Sequence, residues 1–173
     1  AQFTKDLIIV PKIKVSGVSV GNWIDMTATN SNKRWTYEYT APSGNGNDTF
    51  EFKDGKDNVG NIVISVPTLN PSVIVDNTAP NISAIPTSAF SWGDVLNSIE
   101  DNSNGTVTVT TSGVENGQTL TIILNGETYT GTVSSNSATV TISAAKLQAL
   151  NDGQTYTLTA DVSDAAGNAA TQV

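Results

Sequence analysis

Cysteine and histidine are both absent from the 173 residues of this chain. Without cysteine the chain has no disulfide, no thiolate nucleophile and no cysteine-based zinc site. Without histidine it also lacks the usual general base and the commonest transition-metal ligand. Any bound metal must therefore be a hard cation held by oxygen atoms, which means calcium, magnesium or manganese.

Basic residues and long hydrophobic runs are scarce as well. Eight Lys and Arg residues stand against sixteen Asp and Glu residues, a formal net charge of −8. Phosphate contacts depend on basic clusters, so we expect no nucleic-acid partner. No run approaches the ~18 apolar residues of a membrane span, and we expect no membrane insertion. No signal peptide is visible and the chain begins inside a strand-like pattern, so we expect a fragment of a longer protein.

The residues that are abundant favour strands and turns. Thr, Ser, Asn, Gly and Val dominate, and helix-forming stretches are few. Asn125-Gly126 lies between alternating runs and predicts a type I′ hairpin, because both positions tolerate positive φ. Tyr156 fits either a tyrosine corner or an ordinary strand position. We predict strands over 106–111, 118–124, 128–133, 138–142 and 156–162, and a short helix over 144–150.

The first half shows the same character less clearly, with alternation over 12–15, 35–39 and 50–52. Both halves end in an acidic turn followed by an exit strand, at 57–61 and at 164–168, which suggests a repeated module. We predict an all-β chain of two tandem immunoglobulin-like Greek-key β-sandwich domains in a linear rod. The domains cover 1–75 and 81–173, joined by a linker at 76–80, and we expect a monomer.

The second half resembles a known family through five motifs in order. They are DNTAP at 76–80, GDVLNSIE at 93–100, TSGVENGQ at 111–118, LNGETY at 124–129 and LTADVSDAAGN at 158–168. Together they resemble the bacterial Ig-like repeats of giant RTX-type adhesins exported by type I secretion. The first half is similar to a cadherin-like variant through 48–52 and Asp54-Gly55. It departs from that pattern in an abbreviated beginning and a Pro-containing tail at 66–75.

This resemblance implies a structural role outside a Gram-negative cell. The chain would supply extender modules of a cell-surface adhesin that acts in cell adhesion and biofilm formation. Its partners would be neighbouring modules of the same chain, and other domains would contact glycans or proteins of a host or surface. In that family calcium commonly lies at module junctions.

Calcium takes six to eight oxygen ligands, and this chain carries carboxylates in its loops. In an Ig-like sandwich the F–G loop lies at the end where the chain enters, so we expect Asp164 and Asp161 to approach Asp76. The A–B loop lies at the other end. Aspartate also caps turns without binding any metal, which is the alternative at each position. The remaining candidate ligands are Asp94, Glu100 and Asp101, facing the next module, and Asp54 and Asp57, facing whatever precedes residue 1.

Two other functions remain open at this point. The stripe of Trp35, Tyr37 and Tyr39, with Trp23 and Trp92 elsewhere, would suit a carbohydrate-binding module, although the same aromatics could fill a core. An Ig-like spacer of a polysaccharide-degrading enzyme would have the same fold. We expect no enzyme, because the acidic residues sit in turns separated by strands and no catalytic signature is present.

Overall fold

The computed structural model describes residues 1–63 and 72–173, and it confirms an all-β chain. It divides into two compact units, Ala1–Asn77 and Thr78–Val173. Most of the predicted tail at 66–75 lies outside the described residues, and only its end, Ser72–Val75, is seen as a strand. Within the described ranges, no helix has the length and apolar character needed to cross a membrane.

The described strands of the first unit are β1 Leu7–Ile9, β2 Lys12–Ser16, β3 Ile24–Asp25, β4 Thr27–Ala28, β5 Trp35–Thr36, β6 Gly46–Lys53, β7 Lys56–Asp57 and β8 Ser72–Val75. The unit is built around a four-stranded antiparallel sheet with strand order β3-β2-β6-β8. Two strand pairs, β1–β7 and β4–β5, complete it.

The alternation at 12–15 places Ile13 and Val15 inside this unit, as predicted. Ile13 joins a small core with Leu7, Met26 and Trp35. The indole N–H of Trp35 donates to the carbonyl of Asn32 at 2.9 Å, so this buried polar group is satisfied. The strand predicted over 35–39 is shorter than expected and ends at Thr36.

The strands of the second unit are β9 Asn81–Ile82, β10 Gly105–Ser112, β11 Thr119–Leu124, β12 Glu127–Thr132, β13 Ser137–Ile142 and β14 Leu158–Val162. They form two three-stranded antiparallel sheets, ordered β13-β10-β9 and β12-β11-β14. The only α-helix among the described residues, α1, covers Ala144–Leu147 and is shorter than predicted. Two short 3₁₀ turns lie at Thr87–Ala89 and Glu100–Asn102.

Both sheets of the second unit contribute their inward faces to one apolar core. Val107 and Val140 come from one sheet, and Leu120 and Ile122 from the other, and all four are fully buried. This follows from the period of two along each strand, which sends alternate side chains to the same face. The five predicted strands are therefore present, with ends shifted by no more than two residues.

One local prediction for the second unit is confirmed, and the structure decides between the two interpretations left open for Tyr156. Asn125 and Gly126 have φ of 51° and 75°, as a type I′ turn requires, and they join β11 to β12. The hydroxyl of Tyr156 accepts a hydrogen bond from the amide of Asn151 at 2.7 Å. This bond to a backbone group a few residues upstream is that of a tyrosine corner. It fixes the loop that leads into β14.

Candidate functional site

Each unit contains one turn in which a buried aspartate is bound by an asparagine four residues later. In the first unit Asp57 is 3% exposed. Its Oδ1 accepts the amides of Val59 at 3.0 Å and Asn61 at 2.8 Å. Its Oδ2 accepts the side-chain amide of Asn61 at 2.7 Å. The backbone closes the same turn, because Asp57 donates to the carbonyl of Asn61 and Gly60 donates to that of Asp57.

The second unit repeats this arrangement atom for atom. Asp164 is 4% exposed, and its Oδ1 accepts the amide of Asn168 at 2.8 Å. Its Oδ2 accepts the side-chain amide of Asn168 at 2.9 Å. The backbone amides of Asp164 and Gly167 again donate across the turn, to Asn168 and Asp164. Glu115 adds a contact from another loop, since its Oε2 accepts the amide of Ala165 at 2.8 Å.

These hydrogen bonds explain the electrostatics of both turns. The side-chain amide of Asn61 lowers the pKa of Asp57 most strongly, and the backbone amides of the turn and the nearby Lys5 lower it further. The side-chain amide of Asn168 has the same leading effect on the pKa of Asp164. Burial opposes the shift in both cases but does not overcome it. Both carboxylates are therefore ionised at neutral pH, and the amide dipoles of their own turns stabilise the negative charge.

The other predicted calcium ligands are less buried. Asp54 and Asp94 are exposed, and Asp76 lies in a partly buried position at the end of the first unit. Asp54 adopts a φ of 68° and lies 3.7 Å from the ammonium of Lys53. Asp161, on β14, accepts a hydrogen bond from the side-chain amide of Gln172 at 2.7 Å.

Glu100 and Asp101 belong to the 3₁₀ turn at Glu100–Asn102. Glu100 accepts the backbone amide of Asn97 at 3.1 Å, and Asn97 in turn accepts the amides of Ile99 and Glu100 through its side chain. These contacts cap the local backbone, as short polar side chains commonly do in turns. The carboxylate of Glu100 therefore has a structural role in this loop.

Among residues 1–63 and 72–173, no group of three or more acidic side chains converges on a point that could hold a metal ion. Calcium needs at least six oxygen ligands, so none of these carboxylates forms a complete site from the acidic groups of its own loop. In Asp57 and Asp164 both carboxylate oxygens already accept hydrogen bonds. These bonds hold each turn together, and a calcium role for Asp57 and Asp164, as for the exposed carboxylates, stays a prediction.

A third buried carboxylate, not predicted as a site, lies on β6 of the first unit. Asp48 is 0% exposed. It accepts the amide of Ser19 at 2.7 Å and the hydroxyl of Tyr39 at 2.7 Å, and a further short bond from the Ser19 hydroxyl. Burial raises the pKa of Asp48, but the bonds from Ser19, Tyr39 and the Val18 amide outweigh it and leave the pKa lowered.

These contacts exclude the predicted aromatic stripe as an open sugar-binding face. Trp35 is 6% exposed in the core, and Tyr37 and Phe50 pack against that core. Tyr39 is bound to Asp48 and stacks edge-on against Phe50, with ring centroids 5.5 Å apart. The alternative that these aromatics fill a core is the one the structure supports.

Comparison with known proteins gives a weak likeness to two solved structures. No family model and no curated protein matches the chain. A structure described as a "Ca2+-stabilized adhesin" that "helps an Antarctic bacterium reach out and bind ice" is 24% identical, with a TM-score of 0.44. The alignment covers 97% of this chain and 39% of that one.

The second structure concerns "host cell surface retention of a 1.5-MDa bacterial ice-binding adhesin". It is also 24% identical, with a TM-score of 0.43, over 95% of this chain and 50% of that one. The chain thus spans half or less of the length of both proteins. Likeness at this level leaves the function to be argued from the residues of the chain.

Proposed function

We propose that this chain supplies two tandem Ig-like extender modules to a large bacterial cell-surface adhesin. In this role the modules carry no binding chemistry of their own for the adhesin's target. They set the distance between the cell and a binding domain elsewhere in the protein. The parent protein is exported by type I secretion and lies on the outside of a Gram-negative cell.

The observation that carries this proposal is the repetition of one turn in consecutive units. Asp57 with Asn61, and Asp164 with Asn168, use the same atoms in the same pattern. The two turns are separated by about the length of one module, which is the expected spacing in an array of similar domains. The ordered motifs of residues 76–168, which resemble adhesin repeats, point to the same kind of array.

We further propose that calcium stiffens such an array. The second unit has eight acidic residues and one lysine, a formal charge of −7, and the chain carries acidic side chains in its exposed loops. Calcium bound by carboxylates at module ends would cancel the repulsion between their negative charges and restrict the linker. Asp76 is the candidate ligand within the expected linker at 76–80. Millimolar affinity would suit an extracellular module.

Thermal unfolding and small-angle scattering test this proposal together. Both are measured with millimolar calcium, with excess chelator and with magnesium. Calcium should raise the melting temperature and lengthen the particle. A ligand that binds only the folded state stabilises it by RT ln(1 + [L]/Kd), which is about 0.4–1.4 kcal/mol when millimolar calcium is one- to tenfold above Kd. Magnesium should do neither, since it keeps its own water shell.

A matched pair of variants locates the effect. Asp76→Ala should abolish the calcium response, whereas Asp152→Ala, which removes the same charge from an exposed turn, should retain it. An unchanged melting temperature and particle length under all three conditions would refute the calcium part of the proposal. The modules would then be plain spacers.

A further inference from the structure

Trp23 lies just before β3 at the margin of the four-stranded sheet of the first unit, and two lysines point at its ring. The ammonium of Lys53 lies 4.5 Å from the ring centroid, and that of Lys14 lies 5.9 Å away. Both distances are within the range of a cation–π contact. Trp23 is half-buried, and it does not belong to the core cluster that contains Trp35. One tryptophan of this unit is therefore left on the surface beside two positive charges.

The strand register brings three lysines together on this face. Lys12 and Lys14 alternate with the buried Ile13 and Val15, so both point outward from β2. Lys12 is paired directly with Lys53 across the ladder. Like charges directly opposite each other destabilise a sheet. Of these three lysines, Lys14 and Lys53 are the two whose ammonium groups lie over the ring of Trp23.

The carboxylates at this face hold the lysines loosely. Asp25 lies 3.7 Å from Lys12, Glu51 lies 3.6 Å from Lys14 and Asp54 lies 3.7 Å from Lys53. These separations exceed hydrogen-bond length, and the side chains are one-third to two-thirds exposed. Exposed ion pairs of this kind contribute little to stability. The ammonium groups can therefore exchange these partners for a carboxylate brought by a ligand.

We propose that this face binds an acidic saccharide, a chain containing uronic acid, with one sugar ring against Trp23 and its carboxylate between Lys14 and Lys53. The face offers both positive and negative groups that suit such a sugar. The ammonium groups donate to the sugar carboxylate, and the carboxylates of Glu51 and Asp25 accept from sugar hydroxyls. A polyphosphate has no hydroxyl donors for these carboxylates and is repelled by them. This site is independent of the extender role.

The indole N–H signals of the three tryptophans provide a direct test by NMR. The probes are a galacturonate trisaccharide, a neutral galactose trisaccharide and a short polyphosphate. Only the galacturonate should move the Trp23 signal, while the signals of Trp35, in the core of the first unit, and Trp92, packed against the core of the second, stay fixed. Trp23→Ala should abolish binding, and Lys53→Gln should weaken it about tenfold, as expected for loss of one charge-assisted bond.

Lys33→Gln is the matched control, because Lys33 is exposed and lies outside the strands of this sheet. It should leave the dissociation constant within about twofold, since a surface charge away from the site has little effect. An unshifted Trp23 signal at about 10 mM galacturonate overturns the proposal. So does equal binding of the neutral sugar or of polyphosphate, or an equal loss in Lys33→Gln. Retained spectral dispersion in each variant shows that the fold is intact.

Discussion

Replacing Gly105 by alanine should destabilise the second unit, chiefly through a clash with the indole of Trp92. Gly105 opens β10, is buried, and has no positive φ, so alanine meets no backbone strain. A Cβ at this position would lie 2.6 Å from Cε3 of Trp92 and 3.0 Å from Cδ1 of Leu147. The indole of Trp92 packs there against Phe90, with centroids 5.2 Å apart, and against the core. The missing side chain is what makes room for the indole.

The loss of stability can be worked out from the distance between the new Cβ and the indole of Trp92. Carbon atoms in contact stand about 3.5–4.0 Å apart, so the indole must withdraw by about 1 Å. Overpacking of this kind costs about 1–3 kcal/mol. For a unit of the size of Thr78–Val173, each kcal/mol lowers the melting temperature by about 4–8 °C. We expect a loss of roughly 5–20 °C, accompanied by a change in tryptophan fluorescence.

A double-mutant cycle with Trp92→Leu separates this contact from other causes. Leucine removes the ring that the new methyl group would strike, so Gly105→Ala should cost under about 0.5 kcal/mol in that background. The coupling energy between the two positions should reach at least about 1 kcal/mol, as is typical of residues in contact. Chemical denaturation of the four proteins measures it. An equal cost of Gly105→Ala in both backgrounds would refute the reasoning.

Two further predictions concern the buried carboxylates. Asn61→Ala and Asn168→Ala should each raise the pKa of the aspartate in the same turn, because the asparagine side chain is the largest influence that lowers it; titration of the aspartate side-chain carbons by NMR would detect this. Folding lowers the pKa of Asp48, Asp57 and Asp164, so the folded state binds fewer protons and the stabilisation they contribute is complete above about pH 5. The melting temperature should therefore fall as the pH drops from 5 to 2. A melting temperature that stays constant over this range would contradict the lowered pKa of these three aspartates.

Local patterns allowed much of the second unit to be predicted from sequence. Asn125-Gly126 fixes its turn through the backbone preferences of two adjacent residues. Strand alternation likewise located the core, because a period of two decides which residues face inward. Tyr156 left two interpretations open, since its bond to Asn151 depends on how the intervening loop closes. Helix α1 was predicted too long, which reflects the general uncertainty of element ends.

The cluster around Asp48 could not be predicted in this way. Its donors, Ser19 and Tyr39, come from segments 29 and 9 residues away, and neither forms a motif with it. In the sequence Asp48 is one more acidic residue in a polar stretch between Gly and Thr. Only the pairing of β2 with β6 brings the 17–19 loop to its carboxylate. A buried carboxylate whose hydrogen-bond donors are distant in the chain produces no periodic pattern in the sequence.

Asp57 and Asp164 show that the chemical type of a residue does not by itself decide whether it binds a metal. An acidic residue in a loop is equally suited to bind calcium or to accept amides, and the choice depends on which donors are nearby. Asn61 and Asn168 lie only four residues away and supply those donors from within the turn. Each turn is thus held together by its own amides. A calcium effect that comes from the more exposed carboxylates should survive Asn168→Ala and disappear with Asp76→Ala.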